Sequence, residues 1–136
     1  MRISLLFVCL LLALAWQSTA QVKPEWKEVI GTWEGDSICT LPDSPCHDEH
    51  ALYRIKPDKD DPDKLTLEGF KVVDKKPQFM GDLACKYAAE NKVLTCSGNT
   101  PKRDIWTFQV GDATMDGTLT IGKEKTIYRK IALRKK

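Results

Sequence analysis

The sequence has no marked excess of charge of either sign. Of its 136 residues, 21 are Lys or Arg and 19 are Asp or Glu, which gives a formal net charge of +2. A protein that binds nucleic acid through its phosphates needs a concentrated basic surface. The basic residues near the C-terminus alternate with Ile131 and Leu133, as on one face of a strand. We therefore do not expect nucleic acid to be a partner.

The chain also has few groups suited to catalysis. It contains two histidines, His47 and His50, and it lacks a nucleophile elbow, a zinc-protease motif and a glycine-rich phosphate loop. Its cysteines are expected to be oxidised, which removes the thiolate that a cysteine nucleophile needs. We expect a protein that is not an enzyme and that needs no cofactor.

A membrane-spanning apolar run is missing as well. The longest run, residues 3–16, is too short, because a spanning helix needs about 20 residues. It follows Arg2 and precedes Ser18-Thr19-Ala20, which is the order of charged, apolar and small residues in a secretory signal. We predict that residues 1–20 are a signal peptide. Residues 21–136 are then one secreted or periplasmic domain with no remaining membrane span, and we expect it to be monomeric.

Four cysteines remain after removal of the predicted signal, and an even number in an exported chain predicts disulfides. They are Cys39, Cys46, Cys85 and Cys96. Three pairings are possible, and we favour Cys39–Cys46 with Cys85–Cys96 because each pair brackets a turn. A zinc site is not expected, since the sequence has no Cys-x-x-Cys spacing.

Alternating apolar and polar residues dominate the chain after residue 31 and predict eight strands. Eight antiparallel strands with one apolar face suit a closed up-and-down barrel, which leaves no exposed edge; a β-sandwich is the alternative. The apolar parity changes in the third strand, which predicts a bulge at Gly69. The predicted strands are 32–41, 49–56, 64–74, 78–88, 92–97, 104–110, 114–121 and 126–134.

The same alternation assigns a set of aromatic residues to the barrel interior. Small residues on that face could leave room for an apolar ligand, although a chain this short favours an interior filled by its own side chains. If there is room, the ligand contacts are expected from Tyr53, Tyr87, Trp106 and Phe108. The interior aromatics are Trp33, Tyr53, Phe79, Tyr87, Trp106 and Phe108, and the small residues are Gly35, Ser37, Ala51 and Gly81.

The last strand places a charged residue, Arg129, on the inner face beside Ile127 and Ile131. A buried guanidinium is costly unless it is paired or stacked. The indole of Trp33 could supply a cation–π contact. We expect these two residues to close the barrel together.

This combination resembles the lipocalin and wider calycin pattern, in which a Gly-x-Trp opens the first strand and an arginine of the last strand packs against it. Here the motif is Gly31-Thr32-Trp33 and the arginine is Arg129. The chain is shorter than typical lipocalins and lacks a C-terminal helix. In length it is closer to avidin-like proteins and to the small barrel inhibitors of bacterial metalloproteases. The resemblance implies a calycin-like barrel that acts by binding.

Three functions are consistent with these features. The first, which we favour, is binding of a small apolar ligand in or at the mouth of the barrel. The second is a protein-partner module such as a protease inhibitor, with contacts from residues 21–26, an exposed apolar patch around Trp26 and the loops at one barrel end. The third is a structural envelope protein whose one site, for a metal, is the loop at His47 and His50; we expect no metal, because these two histidines have opposite parity.

Overall fold

The computed structural model describes residues 22–98 and 104–136. The predicted signal peptide, residues 1–20, lies outside the described residues. A short 3₁₀ helix, Pro24–Glu28, comes first, and eight strands follow it. They are β1 (Gly31–Cys39), β2 (Glu49–Pro57), β3 (Leu65–Val73), β4 (Lys76–Ala88), β5 (Val93–Ser97), β6 (Ile105–Val110), β7 (Thr114–Ile121) and β8 (Thr126–Lys135).

The strands form a closed antiparallel barrel in the order in which they occur in the chain. Each strand pairs with the next one, and β8 pairs back with β1, where Trp33 lies opposite Lys135 and Cys39 lies opposite Arg129. The predicted all-β, eight-stranded up-and-down barrel is confirmed, and the sandwich alternative is wrong. No helix within the described residues is long and apolar enough to span a membrane.

Two bulges change which side chains face inward. Gly69 pairs with Gly81 but Phe70 pairs with Phe79, so the extra residue is Met80 on β4. The predicted bulge at Gly69 is therefore real, but its additional residue belongs to the partner strand. Phe79 is left 59% exposed, and the prediction that it faces the interior is wrong because the bulge inverts the parity of β4 beyond Gly81.

The second bulge lies on β8. Leu119 pairs with Arg129 and Thr120 pairs with Ile127, so Tyr128 is the extra residue. Ile127 is 42% exposed instead of facing inward as predicted. Arg129, Ile131 and the residues after them keep the predicted parity, since they lie on the other side of the bulge.

The 3₁₀ helix closes the barrel at the end where β1 begins, which we call the closed end. Trp26 is 5% exposed and Val29 is fully buried, so both belong to the core. The indole N–H of Trp33 donates to the Val29 carbonyl at 2.8 Å. Lys135 Nζ donates to the carbonyls of Lys27 and Glu28 at 3.2 and 2.9 Å, which fixes the helix to the last strand. The exposed patch predicted around Trp26 is therefore not formed, because the barrel end buries this side chain.

Both predicted disulfides are present. Cys39–Cys46 closes the connection between β1 and β2, and Cys85–Cys96 joins directly opposed residues of β4 and β5. Cys85 and Cys96 are each 1% exposed and belong to the core cluster. The two bridges thus lie in different surroundings, since the first constrains a loop and the second joins two neighbouring strands of the barrel wall.

A candidate ligand-binding cavity

The barrel contains a cavity of about 370 Å³ at the end opposite the 3₁₀ helix, which we call the mouth. The described residues that line it belong to every strand except β5, and Gly98 and Asp104 lie just outside the strands. They are Ser37, Glu49, Ala51, Tyr53, Leu67, Gly69, Phe70, Met80, Gly81, Asp82, Leu83, Gly98, Asp104, Trp106, Leu119 and Arg129. The interior is therefore not completely filled, contrary to what the length of the chain favours.

Small residues help to make this space. Ser37, Ala51 and Gly81 line the cavity as predicted, and a Cβ placed on Gly81 would meet no atom within 4 Å. Gly35 has a different role. A Cβ at Gly35 would lie 2.0 Å from the Ala132 carbonyl oxygen, so this glycine permits close approach of β1 and β8.

The four residues predicted to hold a ligand are in different places. Tyr53 and Trp106 line the cavity. Phe108 is fully buried beneath it and contacts the Tyr53 ring edge-on, with 6.1 Å between centroids. Tyr87 does not line it: this residue lies near the end of β4 that faces the closed end, where its hydroxyl donates to Glu28 Oε2 at 3.0 Å. Two of the four residues are thus brought together, with a third supporting them.

The Tyr53 hydroxyl is the most unusual polar group of the cavity. Burial of the side chain raises the pKa of Tyr53 to about 12, while Arg129 lowers it and Glu49 raises it to lesser extents. The phenol is therefore neutral near physiological pH. Within residues 22–98 and 104–136 the hydroxyl makes no hydrogen bond, and no fully buried side-chain N or O atom there lacks a partner. The hydroxyl is therefore reachable from the cavity.

Arg129 is anchored by several acceptors at the mouth. Its Nη1 donates to the His47 carbonyl at 3.0 Å and to the backbone oxygen and Oγ of Ser37, both at 3.3 Å. Its Nη2 lies 3.4 Å from Glu49 Oε1, and the Arg129 side chain is 13% exposed. The guanidinium thus joins β1, β2 and the disulfide-closed connection that carries His47.

The predicted contact between Arg129 and Trp33 is wrong. The strand register puts Arg129 opposite Cys39, six residues along β1 from Trp33, or about 20 Å at 3.3 Å per residue. The cation over the Trp33 ring is Lys135, whose Nζ lies 5.3 Å from the ring centroid. Closure at the Trp33 end therefore depends on Lys135, whereas Arg129 organises the mouth.

The two histidines make different contacts. His50 Nδ1 and Nε2 lie 3.2 Å from Asp36 Oδ1 and 3.0 Å from Glu34 Oε1, so both ring nitrogens are occupied. His47 contributes its carbonyl to Arg129. In the described part of the chain, no group of three His, Cys, Asp or Glu side chains is arranged to hold a metal ion.

Sequence reasoning missed Glu49 as part of the cavity. The alternation that places Ala51 and Tyr53 inside also places Glu49 inside, two residues earlier on β2. An inward arginine needs a partner, and an inward carboxylate was the available one. The apolar lining residues Leu67, Leu83 and Leu119 were identifiable as interior positions but not as cavity positions. Alternation along a strand predicts which face of the sheet a residue is on, but not how far along the barrel axis it lies.

The comparisons with known proteins add no relative: neither the models of protein families nor the curated proteins give a match. What is established is the architecture. An eight-stranded, closed, antiparallel barrel is consistent with a calycin-like fold.

Proposed function

We propose that this protein binds a small, mainly apolar ligand in the cavity at the mouth of the barrel. The observation that supports it is the cavity itself, about 370 Å³ in a barrel that could have been filled. Small-molecule sites are concave, mostly apolar and about 300–1,000 Å³ in volume, with a few polar groups that orient the ligand. The cavity is at the small end of that range, which favours a compact ligand or a ligand with a single alkyl chain.

The lining suits such a ligand. Leu67, Leu83, Trp106 and Leu119 supply apolar surface, and Tyr53 supplies a hydroxyl. Each methylene buried against such walls contributes about 0.8 kcal/mol, before the cost of immobilising the ligand. We propose binding without covalent chemistry, because the polar groups that line the cavity suit orientation of a ligand.

We further propose that the protein works outside the cytoplasm. Disulfides persist in the oxidising conditions of secreted and periplasmic proteins, and the two here stabilise the barrel wall and the mouth. A predicted signal peptide at residues 1–20 fits the same compartment.

One observation favours a second function, docking of a protein partner. Phe79 and Met80 are 59% and 58% exposed on β4 near the mouth, and Val73 on the neighbouring β3 is 38% exposed. Exposed apolar side chains that are close together can mark an interaction site. This surface differs from the one expected from sequence, which was centred on Trp26.

A fluorescent, uncharged probe, N-phenyl-1-naphthylamine, tests the first proposal. We expect saturable binding of one probe per chain, with loss of Trp106 emission in the wild-type protein and a smaller loss in Trp106→Phe. Ala51→Phe should weaken probe binding at least tenfold, because Ala51 is 2% exposed and lines the cavity. The matched control is Ala84→Phe, since Ala84 is exposed on β4.

Leu83→Trp provides a second cavity-filling variant in case Ala51→Phe does not fold, as judged by circular dichroism. Absence of saturable binding by the wild-type protein would overturn the proposal. Equal binding by a folded cavity-filling variant would also overturn it, because the probe would then be bound elsewhere.

A further inference from the structure

The cavity combines a hydroxyl that makes no hydrogen bond to the described residues with a charge pair that is already satisfied. The Tyr53 hydroxyl has no hydrogen-bond partner among the described residues, and its ring packs on Phe108. Beside it, Arg129 is engaged by Ser37, His47 and Glu49. The group with unused hydrogen-bonding capacity is therefore uncharged, and the charged groups next to it neutralise one another.

From this arrangement we infer the ligand class: an apolar molecule with one uncharged oxygen, a hydroxyl or a carbonyl, at one end. The Tyr53 hydroxyl donates a hydrogen bond to that oxygen, and the apolar part lies against Leu67, Leu83 and Leu119. This inference rests on the function proposed above, and it names the chemistry that the same cavity selects.

An anionic head group is disfavoured by the groups already present. A ligand carboxylate would have to displace Glu49 from Arg129, or would remain unpaired in a partly buried place. Loss of the Glu49 contact would in turn leave the guanidinium of Arg129, whose side chain is 13% exposed, without this carboxylate partner.

A cationic head group is disfavoured for a different reason. At the depth of Tyr53 it would meet the guanidinium of Arg129, and the Glu49 carboxylate there is already paired. Asp82 is exposed and Asp104 is half-buried at the mouth, so the effect of these two carboxylates on a charged head group of either sign is screened by water. The pKa of Tyr53, raised to about 12, keeps the phenol from becoming an anionic partner near neutral pH.

Competition with bound N-phenyl-1-naphthylamine tests this inference with three ligands of equal chain length: decan-1-ol, decanoate and decylammonium. At near-neutral pH we expect decan-1-ol to displace the probe at least tenfold more strongly than either ion. Tyr53→Phe should weaken binding of decan-1-ol about five- to tenfold relative to binding of the probe by the same variant, the effect of one hydrogen bond.

Tyr87→Phe is the matched control, because it removes the same hydroxyl from a tyrosine at the closed end. It should leave decan-1-ol affinity unchanged. Stronger displacement by decanoate or decylammonium than by decan-1-ol would overturn the inference, as would equal decan-1-ol affinity in Tyr53→Phe. In both cases the probe itself still binds, so the function proposed above survives. Failure of the probe to bind overturns that function and the inference with it.

Discussion

His50 forms a small polar cluster on the outer face of β1 and β2. Its imidazole contacts the carboxylates of Asp36 and Glu34, and Glu34 also pairs with Lys136. The hydrogen bond that the imidazole donates to Asp36, followed by the one that it donates to Glu34, raises the pKa of His50 above its usual 6.5. The charged imidazolium is therefore favoured in the folded protein.

This cluster predicts a pH dependence of stability. A histidine whose pKa is raised by folding contributes stability that is fully present below its unfolded pKa, near 6.5, and is lost as pH rises through the folded value. The His50 side chain is 45% exposed, so we expect less than about 1 kcal/mol, or a few degrees in Tm. Melting curves from pH 6 to pH 9 should show a fall in Tm that is smaller in His50→Gln.

Titration of His50 by NMR provides the direct measurement. Asp36→Asn should lower the pKa of His50 towards that of free imidazole, because it removes the largest contribution to the shift. An unchanged pKa in that variant would contradict the explanation, as would an equal fall in Tm in His50→Gln.

For single residues, the sequence predicts which face of the sheet a side chain is on better than it predicts which residues that side chain contacts. Alternation placed Tyr53, Trp106 and Arg129 inside, and all three line the cavity. It could not show that Tyr87 lies far from them or that Lys135, not Arg129, covers Trp33. Those facts depend on the stagger between strands, which is set by the whole barrel and not by any one strand.

The two disulfides close loops of similar length but differ in how deeply their sulfur atoms are buried. Cys39–Cys46 spans a sequence separation of 7 and Cys85–Cys96 one of 11, so the loop-closure contributions are similar, about 2–3 kcal/mol each. Cys85 and Cys96 are also packed in the core, each 1% exposed. Removal of that bridge therefore costs packing as well as chain entropy.

We predict that the Cys85→Ala, Cys96→Ala double variant loses more free energy of unfolding than the Cys39→Ala, Cys46→Ala double variant. The expected losses are about 3–4 and about 2 kcal/mol, respectively. Urea denaturation followed by circular dichroism measures both. Equal losses, or a larger loss for the Cys39–Cys46 bridge, would show that packing of the buried sulfurs contributes little.

Strand positions followed closely from the sequence, and bulges did not. Turn-forming residues between runs of alternation mark where a strand must end, so most predicted bounds differ from the observed ones by one or two residues. A bulge inserts one extra residue into a strand, and no particular type of amino acid marks its position. The parity change at Gly69 revealed the first bulge, but not that Met80 on β4 was the extra residue. Nothing comparable marks Tyr128 on β8.

For the molecule as a whole, closure of the sheet makes the strands depend on one another. Each strand is hydrogen-bonded to two neighbours, and β1 is held by both β2 and β8. One core cluster contains residues of all eight strands together with Trp26 and Val29. No group of strands has a core of its own, so partial unfolding would expose the shared one.

We therefore expect one cooperative unfolding transition. Tryptophan fluorescence, which reports on Trp26 and Trp33 at the closed end and Trp106 at the mouth, should change together with far-UV circular dichroism in urea. The Trp106→Phe variant keeps only the reporters of the closed end. Its fluorescence midpoint should equal the midpoint that circular dichroism gives for the same variant. Different midpoints for the two ends would mean that the barrel opens in stages.

The 3₁₀ helix under the barrel has a kinetic consequence. Trp26 and Val29 fill the closed end, so among the described residues the cavity opens at the mouth. A ligand bound as proposed would enter and leave at the mouth, and a second ligand could not displace it through the closed end. Ligand exchange would then be limited by dissociation of the bound ligand, so the exchange rate would not rise with the concentration of the competing ligand. The residence time would be set by the residues at the mouth.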